Sequence, residues 1–362
     1  MSVVQQIADV LGISVSQLTG TTDTVGHARG GGVPEVEAVR AALTRHEAHL
    51  GGCPPAVPEL GVVERSVGHA WLCLARADYL RLLRALPDLI TTIQWCAAGS
   101  RGSDPGGGEH QSVTVLVEQV YQIAAEVLRR LGVLDVAWLA ADRAVLASAD
   151  SGDVWWAARA AIPLADVLRD MGQPRHGFEL CVTTAHRLAG VNPLDGPPGY
   201  LSVYGTLLLH AALSAAGLGD EISTADLLDQ AETVAEAVGP GHDYYRTCFG
   251  PALVAITRVA TAVELGCGQK ILADVSRLAA DPDFHRLPAA IRAAYLIDVA
   301  RAHLQDADPI TAGRALLAAD RTAEGEVRAR PAARDVLAAV LRASPRAEPA
   351  VTQLAETLNL TI

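Results

Sequence analysis

The feature that most constrains this chain is a run of Ala/Leu/Val-rich amphipathic segments between about Gln111 and Leu358, separated by short Gly/Asp/Pro turns. Five turns stand in the text: Gly152-Asp153, Gly172-Gln173, Gly219-Asp220, Gly266-Cys267-Gly268 and Asp306-Ala307-Asp308. Glycine just past a helix end accepts a left-handed backbone, and aspartate at the next N-cap accepts a hydrogen bond from a free amide. The spacing predicts antiparallel helix pairs over 112–131/134–149, 153–171/174–190, 198–217/221–238, 247–265/268–280, 287–305/309–322 and 331–343/346–358. The expected class is all-α.

The first helices of these pairs start about every 40 residues, longer than a 34-residue tetratricopeptide unit and similar to its elongated relatives. The architecture expected is a tetratricopeptide-like helical-repeat solenoid, which at 362 residues can still be one body. Half of the residues are hydrophobic but only 4% are aromatic, so packing rests on Ala, Leu and Val, and Ala and Leu are strong helix formers. Small residues stand where helices must approach closely: Ala140, Ala141 and Ala144, then Ala211, Ala212, Ala215 and Ala216, then Ala293 and Ala294. Pro163 falls inside a predicted helix and is expected to kink or break it.

Ahead of the pairs, residues 1–18 read as two short helices, and the Gly/Thr tract 19–33 as a flexible linker. Residues 34–98 read as the N-terminal helices of the main domain, with one long helix over 61–85 and a break at Pro87. Residues 99–111 read as a second flexible loop, and 112–358 as the repeats.

Several function classes fall away. A net charge of −12 argues against this chain alone gripping a phosphate backbone. No run of about 18 uninterrupted apolar residues suggests a membrane span. The start Met1-Ser2-Val3-Val4-Gln5-Gln6 lacks a signal-type basic and apolar region, so a cytoplasmic location is expected. Six cysteines lie far apart without a CxxC pair and read as small buried hydrophobes. Gly30-Gly31-Gly32 has no following Lys-Ser/Thr, so no phosphate loop and no cofactor is expected. His46 and His49 sit three apart without a third ligand, so no metal is expected either.

Some phrases resemble a known family. Ile7, Ala8, Leu11, Gly12, Ile13, Ser14 and Leu18 resemble the last two helices of XRE-type helix-turn-helix domains. The plain alternative is a helix that merely packs on the domain. The runs Ala137–Ala144, Leu201–Gly205, Phe249-Gly250-Pro251, Ala262–Gly266 and Tyr295–Ala302 look like actinobacterial XRE-type regulators with a C-terminal tetratricopeptide-like domain. With Lys270 as the only lysine, the Ala/Gly/Arg bias also fits G+C-rich coding. The resemblance implies a cytosolic sensor, usually a homodimer, whose solenoid binds a small molecule or peptide and controls a DNA-binding head. The two helices that would enter the major groove should precede residue 1, so DNA binding is expected only where such residues exist upstream. The family's polar residues after Phe-Gly-Pro are replaced here by Ala252 and Leu253, with Thr257 following, which implies a more apolar groove.

A solenoid groove is lined by the first helix of each pair. On a helical wheel Tyr200, Tyr204, His210 and Ser214 share one arc, as do Arg246, Leu253, Thr257, Thr261 and Glu264, and as do Arg292, Tyr295 and Asp298. Trp156 and Arg159 would begin the row. Arginines and tyrosines in such a groove would suit a carboxylate-bearing ligand or a peptide C-terminus. Those residues can equally be packing or surface pairs. The polar run His242-Asp243-Tyr244-Tyr245-Arg246 reads as an inter-repeat turn or an acid/base cluster, and no nucleophile motif stands in the chain, so catalysis on this scaffold remains an alternative beside a protein–protein adaptor.

Overall fold

The computed structural model describes residues 34–48, 50–52, 58–100, 108–149, 153–188, 193–343 and 348–360. Residues 1–18, read as a helix-turn-helix remnant, and 19–33 lie outside the described residues, as do Cys53 and His49. Among the described residues every regular element is helical and there is no strand.

Helices α1 (Pro34–Thr44), α2 (Leu60–Ala75) and α3 (Tyr79–Ser100) come first. Helices α4 (Gly108–Arg130) and α5 (Leu134–Ser148) follow, then α6 (Val154–Asp170) and α7 (Pro174–Leu188), then α8 (Pro198–Gly217) and α9 (Glu221–Val238). Each of these pairs is joined by a tight turn and packed along its length, so its members run antiparallel. Next come α10 (Pro251–Glu264), a 3-10 turn (Gly268–Ile271), α11 (Leu272–Ala279) and α12 (Pro282–Arg286). A further pair, α13 (Ala289–Gln305) and α14 (Pro309–Thr322), precedes α15 (Glu324–Ala329), α16 (Pro331–Ala343) and α17 (Pro349–Thr357).

The turn chemistry does what its residues dictate. Asp153 accepts from the Trp155 amide at 2.8 Å, Asp220 from Ser223 at 3.0 Å and Asp308 from Thr311 at 3.0 Å. Gly219, at φ 75°, ends α8 in the left-handed region. Prolines behave otherwise than expected. Pro87 lies inside α3, and the break falls earlier, at Ala77, whose φ is 58°. Helix α6 likewise runs unbroken through Pro163. In both helices the residues on either side of proline are buried, Leu86 and Leu89 in one and Ile162 and Ala165 in the other, so packing offsets the missing hydrogen bond.

Helices distant in sequence share one core. A single hydrophobic cluster takes in α1 to α5 and again α10 to α17, while α6 to α9 fill two smaller clusters. Helix α2 packs on α13. Beside it, Glu326 at the start of α15 is wholly buried. It accepts from Arg130 at 3.0 and 3.1 Å, from Arg330 and from the Tyr79 hydroxyl. Burial alone would push this carboxyl up, but Arg130 and Arg330, with Tyr79, outweigh it and hold it at about 2. This clasp ties the start of α3 and the end of α4 to α15.

Among the described residues no helix is long and apolar enough to cross a membrane. Gly205 in α8 leaves no room for a side chain: an added Cβ would fall on the ring of Phe249, which precedes α10 and is 1% exposed. Gly205→Ala is therefore expected to destabilise by about 1–3 kcal/mol through overpacking. A urea midpoint equal to that of the parent chain would show that the segment carrying Phe249 moves aside freely.

Candidate functional site

Five helices present stripes at helical spacing to one interior space. Helix α2 contributes Arg65, His69 and Leu72, α4 Glu126, Arg129 and Arg130, and α6 Arg159, Ile162, Pro163 and Asp166. Helix α8 contributes Thr206, Leu209, His210 and Leu213, and α10 Leu253, Ile256, Thr257 and Ala260. Residues three, four and seven apart lie on one helix face, so each stripe is one face of its helix. The start of α13 closes the row with Ala290 and Ile291. The space is a cavity of about 880 Å³. Its lining is largely apolar, with the charged groups gathered on α2, α4, α6 and the segment before α10.

That segment is strained. Tyr245, Arg246 and Cys248 have φ of 51°, 58° and 52°, in the left-handed region that side chains avoid. Arg159 holds it: Nε donates to the Tyr245 carbonyl and Nη2 to the Arg246 carbonyl at 3.3 Å. The Arg159 guanidinium also lies over the Trp71 ring, 5.2 Å from its centroid, and Trp71 Nε1 donates to Gln119 at 2.8 Å.

A chain of ion pairs runs from the cavity wall to the clasp. His210 Nδ1 lies 2.6 Å from Asp166, which also meets Arg169 at 2.8 Å and Arg129 at 3.6 Å. Arg129 continues to Asp170 at 2.9 Å and Glu126 at 3.4 Å. Glu126 is 3.6 Å from Arg130, which reaches Glu326. Burial opposes the Asp166 charge, yet His210, Arg169 and Arg129 hold its carboxyl well below the usual range. Cys248 offers no nucleophile, because burial and the neighbouring Asp243 push its thiol up to about 12.

Of the residues singled out in the sequence, Arg159, His210, Arg246, Leu253 and Thr257 line the cavity. Six others do not. Tyr200 stacks on Trp155 at 4.3 Å, and Trp156 meets Tyr245 edge-on at 5.1 Å, in an aromatic cluster beside the cavity. Tyr204 packs into the α7–α9 core. Tyr295 is 1% exposed and packs edge-on against Phe284. Arg292 donates to the Leu287 carbonyl at 3.2 Å, and Asp298 pairs with Arg301 at 3.2 Å. For the residues of α8 and α13 the reasons are geometric: the inward face of α8 is turned roughly a third of the way round from the arc the tyrosines share, and α13 meets the cavity only by its first turn.

The sequence reading expected helices over α2 and α4 but missed them as walls of the site. Their signals were present as a Trp71–Leu72 face and as Glu126 one turn before two adjacent arginines. The run from His242 to Arg246 is a turn at the cavity rim that includes a short 3-10 segment.

Comparison with known protein families, curated proteins and solved structures finds no match for this chain.

Proposed function

We propose that this chain is the sensing part of a ligand-responsive regulator. In this reading it is a tetratricopeptide-like solenoid curled until its first helices surround a small molecule. The observation that carries the reading is the cavity of about 880 Å³, built from matching stripes on consecutive first helices. Its size falls within the roughly 300–1,000 Å³ of small-molecule sites. A groove for an extended peptide or an adaptor's partner would run on past the last helix, whereas here α2 and α13, the first and last helices bordering the space, pack on each other. The resemblance to XRE-type regulators supplies the rest: a cytoplasmic homodimer in which ligand binding biases helix packing and, where upstream helices exist, a DNA-reading head.

The test uses Nile red, a neutral dye that brightens in apolar surroundings. The parent chain is expected to bind it, and Leu213→Trp, which fills the cavity, to lose most of that binding with an unchanged helical circular dichroism spectrum. Equal binding by both proteins, or none by the parent, would sink the reading.

A further inference from the structure

Five arginines border the cavity, and they differ in what they already hold. Arg129 and Arg130 already pair with carboxylates, although the Nε of each is buried without a hydrogen-bond partner. Arg246 and Arg65 are exposed. Arg159 alone is both buried, at 7% exposure, and without a carboxylate in ion-pair distance among the described residues. It bonds only two backbone carbonyls, and its Nη1 is buried with no hydrogen-bond partner.

We infer that the cavity takes a monocarboxylate on an apolar body, and that Arg159 is the residue that reads the carboxylate. The inference rests on the cavity being a ligand site. A buried guanidinium without an anion is costly, and an incoming carboxylate offsets that cost while forming charge-assisted hydrogen bonds. The buried Glu118 on α4, whose charge acts on Arg159, forms no ion pair with it, and burial pushes its carboxyl up to about 8. The Trp71 ring beneath the Arg159 guanidinium steadies it, and Leu209, Leu213, Leu253 and Ile256 line the way for the tail. A second carboxylate among those aliphatic side chains would be stripped of water without a partner.

The experiment is titration calorimetry of the full chain with decanoate, 1-decanol and decanedioate, with Nile red displacement beside it. Decanoate is expected to bind roughly tenfold or more tightly than decanol, the gain of one charge-assisted contact. Decanedioate is expected to bind more weakly than decanoate. Arg159→Gln should bring decanoate and decanol level, Arg159→Lys should keep part of the preference, and Arg65→Gln should leave it whole. Should Arg159→Gln fail to fold, the parent chain's ranking of the three ligands decides alone. Equal affinity for decanoate and decanol in the parent chain overturns the inference and leaves the cavity reading standing. Nile red entering while decanoate does not has the same meaning. Exclusion of Nile red as well overturns both.

Discussion

Glu326→Gln is expected to lose about 3–5 kcal/mol of stability, as when one member of a buried ion cluster is removed and its partners are left. Arg130 and Arg330 would then face a neutral amide at a buried position. Urea unfolding followed by circular dichroism checks it, and a loss under about 1 kcal/mol would mean that the clasp is ornamental. The pH sense is fixed by the same carboxyl. Its folded value, about 2, lies below its ordinary 4.5, so its contribution is whole above about 4.5 and fades as pH falls towards 2. The parent chain should therefore be more acid-sensitive than Glu326→Gln over that range.

Glu118→Gln is expected to act in the opposite direction and to stabilise. Glu118 is wholly buried, with Gln122 of its own helix donating to one oxygen and no hydrogen-bond partner on the other. Facing it are Arg159 on α6 and Asp153 at the start of that helix. Burial raises its carboxyl from 4.5 to about 8, against the pull of Arg159. The folded state then keeps a proton that the unfolded chain has released. Stability is whole below about 4.5, declines between there and about 8, and is lost above. A shift of that size is worth on the order of 3–5 kcal/mol. Unfolding at pH 5 and pH 8.5 should show the variant gaining on the parent chain as pH rises. An equal gap at both values would mean that Glu118 ionises normally in the fold.

Much of the helix pattern was legible in the chain, because the turns are spelled out by residues with one preferred conformation. Asp153, Asp220 and Asp308 each cap the helix they were expected to cap. What misled were residues with strong local preferences in buried surroundings. Pro87 and Pro163 each sit inside a continuous helix, and the turn between α2 and α3 is made by Ala77, which carries no turn signal. The site was legible only in part for a geometric reason. A wheel groups His210 with Tyr204 by angle, but which arc points inward depends on how α8 meets α6 and α10, and that is a property of neighbours. Arg159 was found because it lies on a first helix. Trp71 and Arg130 were missed because nothing in α2 or α4 states that they border the same space as α10.

The bond between Tyr79 and Glu326 joins residues 247 apart in the sequence, in a chain whose other helices pack mostly on their neighbours. Local helix pairs form quickly, whereas a contact so remote must wait for everything between. During synthesis at about 5–20 residues per second, the partner of Tyr79 emerges roughly 10–50 s after it. For that interval the apolar faces of α2 and α3 that belong to the shared core have no late helices to cover them. A nascent chain in this state is the form a chaperone would meet, and ribosome-stalled chains ending before and after α15 would differ sharply in protease resistance around Tyr79.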